Sequence, residues 1–100
     1  MNPELNKWYI KTTDYEKIVL TELIYLESYN SEYDNYSGCN IVLTQYKFPD
    51  KLEVVTMNNH KIFNLIDIMW FECCKNPLEY LNSWTKKYFD LCKQERKNND

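Results

Sequence analysis

One hundred residues with 44% apolar content make one folded domain spanning residues 1–100 and exclude a disordered chain. The net charge of −3 argues against a general nucleic-acid binder, which needs clustered cations to displace counterions. No apolar run approaches the ~18 residues of a membrane span, and Met1 to Lys7 lacks the apolar stretch of a signal peptide, so a cytoplasmic location is expected. Alanine is absent while Asn, Lys, Tyr and Ile are abundant, the mark of a low-GC genome such as that of a bacterium, phage or virus. Three Trp and nine Tyr exceed what a core this size needs and imply contact surface.

The first half alternates in the period of a strand. Trp8 to Thr12 reads as a strand, Thr13 to Glu16 as a turn, and Lys17 to Leu20 as a second run of β-branched and apolar residues. Thr21-Glu22 offers a kink before Leu23 to Glu27, where Ile24 and Leu26 share a face. From Ser28 to Ser37 the apolar pattern stops and a polar loop carries three tyrosines, ending at Gly38, the one glycine. Cys39 to Tyr46 reads as a strand with Ile41 and Leu43 on one face. Phe48 to Lys51 reads as a turn around Pro49, and Leu52 to Met57 as the last strand.

Near Asn58 the period changes. Ile62, Leu65, Ile66, Met69, Trp70 and Cys73 recur as a helical stripe, with Asn58 or Asn59 as its cap. The other reading of this stretch turns a hairpin at Asn58-Asn59 and continues as a strand from Lys61 to Leu65. Asn76-Pro77-Leu78-Glu79 has the chemistry of a helix start, and Leu81, Trp84, Tyr88, Leu91 and Cys92 form a second stripe. The expected fold is therefore α+β: a small antiparallel sheet of about four strands over residues 8–57, then two C-terminal helices within residues 59–97 packed on one face.

Chemistry-bearing motifs are sparse. His60 is the single histidine, Gly38 makes no phosphate cradle, and no nucleophile elbow or zinc-protease motif occurs, so no enzyme activity is expected. Cys39, Cys73, Cys74 and Cys92 have no paired metal spacing; buried reduced thiols are expected, with no metal and no cofactor. The run from Glu16 to Ser28 resembles the strand–turn–strand opening of LytTR-type DNA-binding domains over about an eighth of the chain. Such domains continue into basic loops, whereas an acidic loop follows here, so the family is not adopted.

That acidic loop is the most distinctive segment. No Lys or Arg lies between Lys17 and Lys47, while Glu22, Glu27, Glu32 and Asp34 add four negative charges. Glu27, Tyr29, Glu32, Tyr33, Asp34 and Tyr36 are the expected partner-binding residues, since tyrosine supplies contact area at low entropic cost and carboxylates suit a basic partner. A structural reading of the same loop has its tyrosines covering the sheet edge. The stretch from Lys75 to Lys97 collects six of the twelve cations, which suits a solvated helix face and dipole compensation, or contact with nucleic acid.

The residues thus point to a non-catalytic binding module from a phage, virus or other mobile element that occludes a host protein. Anti-CRISPR proteins share this size and acidity. An immunity protein or antitoxin that caps a toxic enzyme is the alternative, and a small regulatory module touching DNA through the basic C-terminal stretch is a further one. The expected partner is a host or cognate protein with a basic, nucleic-acid-binding surface, and a homodimer is expected from the thin burial of so short a chain.

Overall fold

The computed structural model of the chain describes residues 3–48, 52–81, 86, 87, 89–91 and 94. Four strands, β1 (Lys7–Asp14), β2 (Ile18–Asn30), β3 (Asn35–Tyr46) and β4 (Glu53–Asn64), run as an antiparallel meander. A single helical turn, α1 (Leu65–Ile68), follows. The short strand β5 (Glu72–Cys74) then returns antiparallel to β1, and Pro77–Tyr80 makes a 3-10 turn. The five-stranded sheet has the order β4-β3-β2-β1-β5.

Strand residues alternate between two faces, so the register assigns each core residue to a side. Trp8, Tyr25 and Cys39 align across the sheet, as do Ile10, Leu23, Ile41 and Met57. They form one cluster with Cys74 and Phe89, whose ring lies 4.7 Å from that of Trp8. The opposite face carries Ile24, Leu26, Tyr36 and Phe63, closed by Ile68 of α1 with Leu65 and Phe71 packed against it. Both faces of the sheet are therefore covered, each by a different part of the chain after β4.

Two bulges reset the alternation. The β2–β3 register shifts between Leu26 and Ser28, and the β3–β4 register shifts between Gly38 and Asn40. Gly38 sits where the two meet: a Cβ there collides with the carbonyl oxygen of Tyr25, so only glycine lets β2 and β3 approach at this point.

The expected pair of C-terminal helices on one face does not form. Residues 59–64 belong to β4, α1 is one turn, and Leu81 returns to extended geometry after the 3-10 turn. Among the described residues beyond it, Lys86, Lys87, Phe89, Asp90, Leu91 and Gln94 are helical. Trp84, Tyr88, Cys92, Lys93, Arg96 and Lys97 lie outside the described residues, as does most of the expected turn at Phe48 to Lys51. The β4 bulge opposite Cys39 is the physical reason that residues 59–64 look helical in sequence. It adds a residue at Asn59-His60 and shifts the phase of the strand, which hides the period of two. Pairing with the 12 residues of β3 then outweighs the local helical spacing.

The consequence is an inversion of inside and outside. Ile62, Ile66, Met69 and Trp70 of the expected core stripe are 60%, 69%, 71% and 73% exposed, while Phe63 and Ile68 are buried. Two smaller expectations also change. The kink at Thr21-Glu22 is absent, because β2 runs unbroken through it, which removes the strand–turn–strand likeness of Glu16 to Ser28. The loop from Ser28 to Ser37 shrinks to a turn at residues 31–34, because the flanking polar residues pair across the ladder.

Candidate functional site

The β2–β3 hairpin holds its tip by side-chain chemistry. Asn30 and Asn35 close the ladder around the four-residue turn. The Asn30 Oδ1 accepts the Glu32 N–H at 2.9 Å, an Asx-type bond that organises the turn locally. Asp34 adopts a left-handed φ of 50°, a region that Asp tolerates better than most side chains. From there its Oδ1 accepts the Tyr29 hydroxyl at 2.6 Å. That bond, followed by burial and the carboxylate charge, pushes the Tyr29 phenol above its ordinary value and holds it as a neutral donor.

The six expected partner-binding residues separate into three groups. Tyr36 is buried in the core beneath Ile68, with its ring 4.9 Å from that of Tyr29, so it supports the hairpin from below. Glu27 occupies the β2 bulge and is half-buried, away from the tip. Glu32, Tyr33 and Asp34 form the exposed end, with Tyr33 69% exposed and Tyr29 flanking them at 44%. The structure brings Tyr29, Glu32, Tyr33 and Asp34 together and leaves Glu27 and Tyr36 in supporting positions.

A second group joins this end of the sheet. Asn64, the last residue of β4, pairs with Asn35, so the chain enters α1 beside the hairpin. Ile66, Met69 and Trp70 point away from the core there, on a segment fixed by Ile68 beneath it and by backbone bonds from Met69 to Leu65 and from Trp70 to Asp67. The helical spacing predicts these three inside, whereas they are exposed. The composition Met, Trp, Ile beside tyrosines was the available signal, because that mixture is typical of contact surfaces as well as cores.

Elsewhere, an open apolar groove of about 880 Å³ lies at the other end of the sheet, lined by Tyr15, Glu16, Lys17, Ile18, Tyr46 and Phe48. Cys39 and Cys74 are buried, and burial pushes the Cys74 thiol up, which keeps it protonated. Cys73 departs from the expected burial: it is exposed on the short edge strand β5. His60 is exposed at the β4 bulge. Among the described residues no three His, Cys, Asp or Glu side chains converge as metal ligands, and no helix is long and apolar enough to cross a membrane. Lys86 and Lys87 of the basic C-terminal stretch are exposed.

The arrangement at the hairpin end is suited to recognition. It offers an acidic, aromatic tip next to an apolar ledge, both carried on paired strands and a packed turn. Comparison of the chain with protein-family models, with curated proteins and with solved structures finds no match.

Proposed function

We propose that this chain is a non-catalytic protein-binding module, encoded by a phage, virus or other mobile element, that blocks a host defence protein in the host cytoplasm. One observation carries the reading: a hairpin tip of Glu32, Tyr33 and Asp34, pre-organised by the Tyr29–Asp34 bond, beside the exposed Ile66, Met69 and Trp70. A tip already fixed in its bound shape loses little entropy on association. Tyrosine, tryptophan and methionine are the side chains enriched where contact energy concentrates. Carboxylates at the rim favour a basic partner face and speed its encounter.

Affinity capture from a low-GC host lysate, with quantitative mass spectrometry, tests this. The tagged parent is expected to retain one stoichiometric protein with a basic surface. Tyr33→Ala is expected to weaken that complex by about 2 kcal/mol, and Glu32→Lys to slow its formation. Retention of the same protein at parental affinity by Tyr33→Ala, Glu32→Lys and Trp70→Ser variants would remove this surface from the reading.

A further inference from the structure

We infer that the free edge of β4 is a self-association site, at which a second copy of this chain pairs antiparallel through Val55, Thr56 and Met57 to make one ten-stranded sheet. The inference concerns a different surface from the hairpin end and does not depend on it.

The backbone sets the geometry. In an antiparallel pair, alternate residues exchange both of their hydrogen bonds with the neighbouring strand, and the residues between them turn those groups outward. The Tyr46 N–H donates to the Leu52 carbonyl at 2.9 Å, which marks that pair as bonded. The same register makes Val54 with Thr44, Thr56 with Val42 and Asn58 with Asn40 the bonded pairs. The N–H and C=O groups of Glu53, Val55 and Met57 therefore face away from β3, and among the described residues β4 is the last strand on that side of the sheet.

The two edges of the sheet differ in how they meet solvent. On the β1 side, β5 covers Trp8 to Ile10, and the stretch beyond carries Lys11 and Asp14. On the β4 side, Val54 to Asn59 carries no charge, no proline and no glycine, and three of its first four members favour strands. An uncharged, regular edge of this kind is a template for another strand. The bulge opposite Cys39 ends the regular segment, which confines pairing to the part before it.

Self-complementarity selects a second copy as the occupant. With the two-fold axis at Thr56, Val55 of each copy lies opposite Met57 of the other, and both residues turn the required backbone groups outward. Val55 and Met57 are half-buried members of the Trp8–Leu23–Ile41 side of the core, so the pairing continues that core across the axis. Thr56 meets Thr56 on the other face, a favourable cross-strand pair. The charges agree with the same arrangement. The two Glu53 residues lie roughly 20 Å apart, and each sits next to the His60-Lys61 end of the other copy. A parallel pairing would set Glu53 beside Glu53. The contact is smaller than a standard interface, which places dissociation at roughly 10 μM to 1 mM.

Thr56 gives a register-specific test, since its side chain is exposed and replacement leaves the fold intact, as thermal melts would confirm. Sedimentation equilibrium of the parent is expected to show a monomer giving way to a dimer as concentration rises. Thr56→Lys alone and Thr56→Glu alone place like charges face to face on the axis, and each should weaken dimerisation at least ~10-fold. An equimolar mixture of the two variants should recover the dimer. A parent that stays monomeric to ~1 mM overturns the inference. So do single variants that dimerise like the parent, or a mixture that stays monomeric.

Discussion

The hairpin tip and the α1 segment leave the same end of the sheet, yet they hold their large side chains in opposite ways. At the tip, Tyr36 is buried, the Tyr29 ring meets it at a tilt and its hydroxyl donates to Asp34, and Tyr33 stands furthest into solvent. In the α1 segment Ile68 is buried in the core with Leu65 and Phe71 packed against it, while Ile66, Met69 and Trp70 face out. The tip is ordered by polar bonds within itself. The ledge is ordered by apolar packing of Ile68, Leu65 and Phe71 beneath it and by a few backbone bonds. Exposure of an aromatic residue thus has two physical origins in this molecule, and they respond differently to substitution.

The largest expected effects lie beneath the two surfaces. Tyr36→Ala should cost about 3–5 kcal/mol of stability, as expected for emptying a buried aromatic site, and Ile68→Ala about 2–5 kcal/mol. The exposed counterparts Tyr33→Ala and Trp70→Ser should each stay within about 0.5 kcal/mol of the parent. Denaturant unfolding measures all four. A large loss of stability in Trp70→Ser would mean that the ledge is part of the core and the contrast is mistaken.

Gly38→Ala tests the hinge between the bulges. The added methyl meets the backbone of Tyr25 and Leu26, so a strand has to shift, at a cost of about 1–3 kcal/mol or more. Loss of the Tyr29 to Asp34 hydrogen bond in the NMR spectrum of this variant, with α1 unmoved, would show that the tip depends on the bulge and the ledge does not.

A smaller effect separates backbone from side chain at the tip. Asp34→Ala removes the acceptor and leaves a non-glycine residue at a left-handed φ, for a loss of about 1–2 kcal/mol. Asp34→Gly removes the acceptor but relaxes the backbone, so its loss should be smaller. Equal losses would mean that the turn carries no conformational strain.

The smallest effect is a titration. Tyr29 is raised above 10.0 in the folded chain, chiefly by its bond to Asp34. Below the ordinary tyrosine value both folded and unfolded states keep the proton, and the bond contributes in full. As pH rises from that value through the raised one, the unfolded chain releases its proton first, and the contribution is lost. Ultraviolet titration should therefore find the Tyr29 phenol ionising late, and Asp34→Gly should remove that delay.

Much of the sheet was legible from residues alone. Ile24 with Leu26, and Ile41 with Leu43, share faces as their spacing required, because a strand exposes its period of two directly. Leu52, Val54 and Thr56 also alternate together, but they face solvent, since an edge strand can turn apolar side chains outward without a partner over them. The candidate site was legible in part. Tyr29, Glu32, Tyr33 and Asp34 converge at the tip, whereas Tyr36 had to be buried once β3 paired with both neighbours. The helical spacing puts Ile66, Met69 and Trp70 with the core, because periodicity shows that residues share a side but not which side is covered.

Local chemistry was written into the chain from the start: the alternation of β1 to β3 and the turn-forming Asn30 and Asp34. Those features depend on φ, ψ and neighbours within a few residues, so sequence suffices to determine them. The extension of β4 through Asn64, the split of the core between two faces and the exposure of Ile66, Met69 and Trp70 depend on which segments meet across the sheet. Pairing with β3 satisfies the backbone groups of alternate β4 residues at once, and that cooperative gain outweighs a helical pattern of side chains. Only the tertiary structure could decide it.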